Sequence, residues 1–520
     1  MKLLSIGGYF HDTNITYFDG VNVHYLKLER ILDFKHFGIR KVNPNLCVAY
    51  FNKILSKYWN VTIQEMDEIV VDNYQLHRYL NCNGVKNEKI SIINHHKAHA
   101  LSVSFMHDVD KNMVLDGCGP SYRDSADRMI HDCWHVYNGD ELISKGILED
   151  HGSIGHGMTY ISFLFNELNN SGRPIDRPGK LMGLQSYGSI DYQYLEKIRN
   201  YNIYSVKSRY RLPGAITKTS GILSGNGTIF SIKKYKDFLG TEELTKEQKL
   251  DWLRTVHERV GEIILEWFEE FVSPEDRIGY SGGVAQNVIW NTLLKDKYPN
   301  LVTVPYCSDE GLSIGGMEHL RRKYGLPKMK LDHFPFCTVD ESPVDRLSME
   351  NAALVAQYLA NGKIVALYQG NGEVGPRALG NRSILFDPRI PNGKEIINDI
   401  KRREYFRPFG ASVLEEHKDT FGLKYENPYM LYVGKPNISV PSITHVDGTC
   451  RVQTVAKDSC ALRYILEEFY KLTGCPVLLN TSLNVSGKPI AGKISSAEEE
   501  FLSKSIDILV VGNKISKKSA

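Results

Sequence analysis

RIGYSGGVAQN, residues 277–287, decides the fold: a short apolar run, paired glycines, then the start of a helix. A strand that ends in Gly282-Gly283 and leads into a helix aims backbone N–H groups at an anion lying beyond it. Gly282, Gly283 and Asn287 are therefore read as ligand-binding positions. The same pattern recurs upstream, where Met113–Gly119 (MVLDGCG) reads as a buried strand closed by a glycine turn. Further strands are expected near Cys133–Tyr137 and Glu141–Leu148. At the N-terminus, Leu3–Gly7, Asn14–Phe18 and Val21–Leu26 form a strand meander punctuated by His-Asp and Asp-Gly turn signals. Such recurring units predict a duplicated α/β fold with a ligand in the cleft between its halves.

Outside that frame, residues 244–271 carry apolar residues at helical spacing behind a threonine, which predicts a long amphipathic helix. Between 326 and 345 the pattern dissolves into LPKMKLDHFPFCTVDESPVD, three prolines with no period, and this stretch reads as a domain linker. Beyond it, Met349–Asn361 reads as a helix, Lys363–Tyr368 as a strand, Asp458–Leu472 as a helix and Val477–Leu479 as a strand. At 520 residues the chain exceeds what one core normally serves. Two domains are expected, 1–335 and 346–520.

Hydrophobic residues at 42% and charged residues at 24% are globular values and exclude a disordered or fibrous chain. A net charge of +2 gives no general electrostatic drive toward nucleic acid. The nine cysteines are scattered and form no CxxC pair, so a reducing, cytoplasmic setting is expected rather than a disulfide framework or zinc ribbon. The apolar start MKLLSIGGYF stops at His11-Asp12, and no segment approaches ~18 apolar residues, so no membrane partner is expected.

Two clusters carry chemistry. His95 and His99 in NHHKAHA lie four residues apart, which on a helix points both imidazoles the same way. With Asp116 and Asp309, each expected at a strand end, they suit iron, manganese or zinc with positions left open; alternatively the two histidines belong to an ordinary helix surface. His11 reads either as a general base toward a hydroxyl or as a turn histidine, and Lys35-His36 carries the same ambiguity. In the C-terminal half, GEVGPRALGNRSILFDPR and KRREYFRPFG place Arg377, Arg382, Lys401 and Arg407 among glycines and prolines. These cations suit the phosphates of a nucleotide and a second anionic substrate. Arg451, Asn480 and Ser482 add donors at expected strand ends. No GxxxxGK[ST] P-loop is present.

With its His-Asp after the first strand, HHKAHA, DGCG, GKLMGLQSYG, SGGVAQN, SDEGLSIGG, GEVGPRALGNRS, FRPFGAS, HVDGTCRVQTV and NTSLNVSGKP in this order, the chain resembles the O-carbamoyltransferases of nodulation and antibiotic tailoring. The resemblance implies an N-terminal duplicated actin-like ATPase (ASKHA) fold, like the tRNA threonylcarbamoyl transferase. It also implies a C-terminal α/β domain like the threonylcarbamoyl-adenylate synthase. It further implies that the rear domain makes carbamoyl-adenylate from carbamoyl phosphate and ATP with Mg²⁺, using Arg377, Lys401, Arg407, Arg451, Asn480 and Ser482. The front domain would then transfer the carbamoyl group beside Fe²⁺ or another divalent transition metal on His95, His99, Asp116 and Asp309, with His11 as base and Lys35 at the catalytic site. Asn371, Gly410-Ala411, Ser486 and Lys488 depart from the family pattern, and Lys488 offers a substitute positive charge.

The acceptor stays open between a sugar or natural-product hydroxyl and a hydroxymethylated pyrimidine in a nucleotide or DNA. The second class is suggested by the tyrosine- and lysine-rich run from Tyr192 to Arg211 and by Lys233-Lys234-Tyr235-Lys236. A homodimer is also left open. The rivals are a tRNA threonylcarbamoyl-adenosine synthase and a non-catalytic ATP-binding scaffold. A hydrogenase maturation factor would require cysteine pairs that this sequence lacks.

Overall fold

The computed structural model describes residues 1–117, 119, 122–123, 129–130, 132–146, 153–168, 173–200, 229–338, 344–457, 461–485 and 487–518. The first sheet uses β1 (Leu3–Gly7), β2 (Asn14–Phe18), β3 (Val23–Lys27), β4 (Glu68–Val71) and β5 (Ile90–Ile92), in the order β3-β2-β1-β4-β5. β6 (Lys111–Leu115) opens a second sheet and is followed by a two-stranded ribbon, β7 (Tyr122–Arg123) with β8 (Met129–Ile130). The second sheet continues with β9 (Trp134–Asn138), β10 (Glu141–Gly146), β11 (Ile278–Ser281) and β12 (Leu301–Val302), in the order β10-β9-β6-β11-β12. In both sheets the opening strand pairs antiparallel with the hairpin on one side and parallel with the crossover strand on the other. Equal order and equal sense make this the expected duplicated, actin-like ATPase unit.

Local chemistry accounts for the small departures. The third strand begins at Val23 rather than Val21, because Asp19 Oδ1 accepts from the backbone N–H groups of both Val21 and Asn22 and holds them in a turn. The paired glycines do not open the helix directly. A single turn, Gly283–Gln286, comes first, and the helix Val288–Lys297 is capped by Asn287 Oδ1, which accepts from Ile289 N and Trp290 N. The long helix spans Lys246–Phe271 behind a Thr245–Gln248 capping box and buries Trp252 and Trp267 completely. Each such side chain removes on the order of 2–3 kcal/mol of apolar exposure from water.

The third sheet is mixed and eight-stranded, built from β13 (Val365–Tyr368), β14 (Arg382–Phe386), β15 (Gly410–Leu414), β16 (Tyr432–Gly434), β17 (Cys450–Val455), β18 (Val477–Ser482), β19 (Ile508–Val511) and β20 (Lys514–Lys517). Helices Met349–Ala360 and Ala461–Thr473 cover it; residues 458–460 of the expected second helix lie outside the described residues. Of the expected linker, residues 339–343 lie outside the described residues, and the part before them is held by backbone contacts. Leu331 bridges β3, and Thr338 forms backbone bridges to Tyr25 on one side and Gly372 on the other. Thr338 N and Oγ1 donate to Gly372 O and Glu373 O, while Val374 N donates to Pro335 O at 2.9 Å. Val374 and Phe406, from the rear half of the chain, pack into the same core cluster as Trp267 and Tyr280.

Candidate functional site

Asn94 caps the helix His95–Met106 by accepting from Lys97 N, so His95 and His99 occupy its first two turns on one face. That helix lies against Leu312–Lys323, where a Cβ on Gly315 would come 1.8 Å from Ala98 O, so only glycine permits the close approach. The approach brings Asp309 over the histidines. Asp116 follows β6 directly, as expected. Asp309 departs from its expected strand end: it opens the turn Asp309–Gly311, which feeds the second helix. Even so, His95, His99, Asp116 and Asp309 offer ligand atoms that all lie within 4.8 Å of one another; the first three are buried and the Asp309 side chain is 13% exposed. His95 Nε2 is 3.2 Å from Asp116 Oδ2 and 3.7 Å from Asp309 Oδ1; His99 Nε2 is 3.6 and 3.4 Å from the same atoms.

Two observations fit this set to a metal ion. Both ring nitrogens of His99 are buried without a hydrogen-bond partner among the described residues. His95 Nδ1 faces Asp72 Oδ2 at 3.4 Å, the outer carboxylate that fixes the tautomer of a ligating imidazole. Gly283 N donates to Asp116 Oδ1 at 2.9 Å, so the glycine turn orients a carboxylate here. Burial alone would push His95 and His99 down and Asp116 up; their mutual attraction outweighs it and reverses all three directions.

Next to the cluster runs a second row that sequence reading saw only in part. His11 Nδ1 sits 3.0 Å from Asp12 Oδ2 and 3.6 Å from Asp309 Oδ2, with about a third of its side chain exposed. Asp12 also holds His36 Nδ1 at 2.9 Å, and the other nitrogen of His36 meets Asp176 Oδ1 at 3.0 Å. Lys35 reaches that same Asp176 oxygen at 2.5 Å. Asp12, His36 and Asp176 carry no motif signal beyond adjacency, and only the fold joins residue 176 to residue 36. Asp12, Glu29 and His36 also converge, but the fully buried Lys27 pairs with Glu29 and Glu310 and supplies positive charge beside them.

Burial pushes His11 down, but Asp309 and Asp12 lift it to about 9. The imidazolium form is thereby favoured in the metal-free protein. The stability this contributes is fully present below the ordinary value of 6.5 and is lost as pH rises through about 9. The His11 ring is expected to titrate near 9 in pH-dependent NMR of metal-free protein, and to move downward when a divalent metal engages Asp309. A ring that titrates near 6.5 without metal would show that the two carboxylates do not control it.

In the third-sheet half, the loop 372–382 is organised by Glu373, whose buried Oε1 accepts from Leu379 N, Asn381 N and Arg382 N at 2.9–3.1 Å. Arg377 is displayed on this loop. Arg377 and Arg451 each bury an Nε that has no partner among the described residues. Lys401 contacts Ser482 O and lies 3.1 Å from Ser482 Oγ and 2.6 Å from Asn484 Oδ1. Burial, then the charges of Arg403 and Arg407, push Lys401 well down; burial and neighbouring arginines do the same to Arg403 and Arg451. Arginine keeps its proton in proteins, so the penalty is relieved by an anion. Arg403, not singled out as a ligand from sequence, is oriented by Asn398 Oδ1 at 2.6 Å and lies 4.0 Å over the Phe409 ring.

Three expected ligands have other work in this structure. Arg382 is fully buried, donates to the carbonyls of Gln369, Gly370 and Asn381, and lies 3.6 Å over Tyr368, so it braces the loop. Asn287 caps a helix and meets His257 Nε2 at 3.0 Å. Lys488 lies 3.2 Å from Glu499 and 3.8 Å from Asp33, so its charge is engaged by carboxylates. Asn480 lies within the sheet, donating to Ser412 Oγ at 2.9 Å with its own Oδ1 unpartnered among the described residues. Arg407 stays a third exposed beside Glu404, which also pairs with Lys180 of the front half at 2.9 Å. Residues 201–228, with much of the tyrosine- and lysine-rich run, lie outside the described residues, as does Ser486.

A duplicated actin-like unit with a four-donor cluster, joined to a mixed sheet with a cluster of unneutralised cations, defines a two-part α/β enzyme. Comparison with known proteins gives this class its family. Residues 45–317 match the family described as carbamoyltransferase N-terminus, and residues 356–518 match carbamoyltransferase C-terminus. The chain belongs to the carbamoyltransferase family and is a transferase. Nodulation protein NolNO of Sinorhizobium fredii is 30% identical over 83% of this chain, which spans 64% of that protein. Among solved structures, full-length HypF in its phosphate- and nucleotide-bound form is 12% identical with a TM-score of 0.40, covering 63% of this chain and 47% of that one. P. abyssi Sua5 complexed with L-threonine is 17% identical with a TM-score of 0.26, covering 33% and 49%. No helix among the described residues is long and apolar enough to cross a membrane.

Proposed function

We propose that the protein is an O-carbamoyltransferase working in two steps. The observation that carries this reading is the pairing, in one chain, of four convergent ligands with a cluster of cations in which Arg377, Arg403, Arg451 and Lys401 have no carboxylate within ion-pair distance among the described residues. At the rear cluster of cations, water attacks the phosphorus of carbamoyl phosphate and breaks its P–O bond to carbamate, releasing phosphate, and an oxygen of that carbamate then attacks the α-phosphorus of Mg²⁺-bound ATP as pyrophosphate departs. Arg377, Arg403, Arg407, Arg451 and Lys401 hold the phosphates and stabilise the charge that develops on them. Ser482 and Asn480 supply neutral donors. The adenylate then reaches the front site, where an acceptor hydroxyl attacks the carbamoyl carbon and AMP leaves.

In the front site His95, His99, Asp116 and Asp309 would hold Fe²⁺ or another divalent transition metal, which when bound polarises the carbonyl oxygen as a Lewis acid. With Asp309 committed to a cation, His11 loses its strongest raising neighbour and becomes able to take the proton of the hydroxyl. Asp12 orients His11, and Lys35 stands at the opening beside Asp176. The acceptor is a sugar or natural-product hydroxyl, or a hydroxymethylated pyrimidine of a nucleotide or DNA. The scattered cysteines, seven of them free among the described residues, fit a reducing cytoplasm.

The test is pyrophosphate release with ATP and carbamoyl phosphate, together with mass spectrometry of acceptor pools for a gain of one carbamoyl group. Release that needs both co-substrates is the expected result. No release would favour a non-catalytic scaffold, and product formed only with bicarbonate and threonine would favour a threonylcarbamoyl-adenosine synthase.

A further inference from the structure

The mouth of the front site carries a group of cations that the steps above leave unused. Arg40 places its guanidinium 5.5 Å over the Phe10 ring, and Lys41 places its ammonium 3.9 Å over Phe34. Arg173 brings a third cation, 4.8 Å over the same Phe34 ring. Two positive groups thus share one aromatic ring, and both rings are open to solvent, Phe10 at 52% and Phe34 at 43% exposure. Among the described residues no carboxylate lies within ion-pair distance of Arg40, Lys41 or Arg173. The carboxylates nearby are already taken: Asp176 by Lys35 and His36, Asp12 by His11 and His36, Asp33 by Lys488. A packing role accounts for one cation on a ring. It does not account for three that repel one another with nothing to neutralise them.

The group is fastened to the reacting residues. Phe10 immediately precedes His11, and Phe34 immediately precedes Lys35. Arg40 N donates to Tyr9 O at 3.2 Å, and Arg173 Nη1 donates to His36 O at 2.9 Å. Gly38 packs against the Phe10 carbonyl so closely that a Cβ there would approach it to 2.0 Å. An anion seated on these cations therefore stands at a fixed position relative to His11 and Lys35.

We propose that this rim seats the phosphate of a phosphorylated acceptor, with the exposed Phe10 and Phe34 faces lying along its ring. The inference rests on the two-step reading above and narrows its acceptor to a phosphate ester. Guanidinium and ammonium groups without carboxylate partners are the chemistry that recognises a phosphate monoester. The aromatic faces accept either the flat base of a nucleotide or the apolar face of a sugar.

Direct binding of paired small probes tests this. The full chain, its rear site filled with a non-hydrolysable ATP analogue, is titrated with deoxyuridine, deoxyuridine 5′-monophosphate, glucose and glucose 6-phosphate. The phosphate-bearing member of at least one pair is expected to bind about tenfold more tightly or better than its phosphate-free counterpart. The double variant R40A/K41A, checked for folding by its melting curve, should lose that preference, and K41R should retain it. Preference for the nucleotide would assign a planar base to the phenylalanines; preference for the sugar phosphate would assign a sugar ring. Equal affinities within both pairs, or a preference that survives R40A/K41A, would overturn the proposal. Should the wild-type protein release no pyrophosphate from ATP and carbamoyl phosphate, the two-step reading itself fails; release without phosphate preference fails only this inference.

Discussion

His95→Ala is expected to lower carbamoyl transfer by about a thousandfold while pyrophosphate release from ATP and carbamoyl phosphate stays within about twofold of wild type. His95 Nε2 lies within 3.7 Å of both candidate ligand carboxylates, and Asp72 stands behind its other nitrogen. Removing the ring takes away one of four donors and leaves Asp116 and Asp309 facing each other in a buried space with less positive charge. A Lewis acid contributes several kcal/mol at a developing oxyanion, and about 4 kcal/mol corresponds to that rate. The readout pairs metal content, by elemental analysis of the purified protein, with acceptor mass gain. Unchanged metal content and unchanged transfer would remove His95 from the site. An equal fall in pyrophosphate release would argue against separate sites.

Arg407→Ala should produce the opposite pattern. Pyrophosphate release is expected to fall by about a hundredfold or more, the usual cost of deleting one preorganised donor to a charged transition state. Transfer from chemically prepared carbamoyl-adenylate should persist. Arg407 is a third exposed, so its loss opens no buried cavity, and Glu404 keeps Lys180 as a partner. The separation is measured by supplying the adenylate directly. A variant that also fails with supplied adenylate would place Arg407 in the transfer step or in the contact between the halves.

Much of this architecture was legible because its signals are local. The runs Leu3–Gly7 and Asn14–Phe18 appear as strands with the bounds read from sequence, and the threonine-capped helix near 245–271 follows from period and cap. The spacing of His95 and His99 carries directly into geometry, because a helix converts four residues into one face. Asp309 was recognisable as a candidate by its glycine neighbours but not by its setting, since a helical turn, not a strand, delivers it. Arg382 shows the limit of reading charge from a motif. In sequence it resembles Arg377, and only the fold reveals three backbone carbonyls around its guanidinium. Asp72 and Asp176 were invisible because each acts on a partner far along the chain, and no periodicity encodes such a pairing; Glu404 was legible as a local partner of the arginines, but not its bond to Lys180. At 326–345 the irregular, proline-rich composition describes a segment without repeating structure, but says nothing of what residues 326–338 are bonded to.

Those bonds bear on how the molecule comes apart. Thr338 is tied to Tyr25 and Gly372 at once, and Val374 and Phe406 fill volume in the front core. Melting of the rear half is therefore expected to strip Val374 and Phe406 from the front core as well. Thermal loss of both proposed activities is expected in a single transition, checked by calorimetry beside the two assays, and a thermostabilising change in either half is expected to protect both.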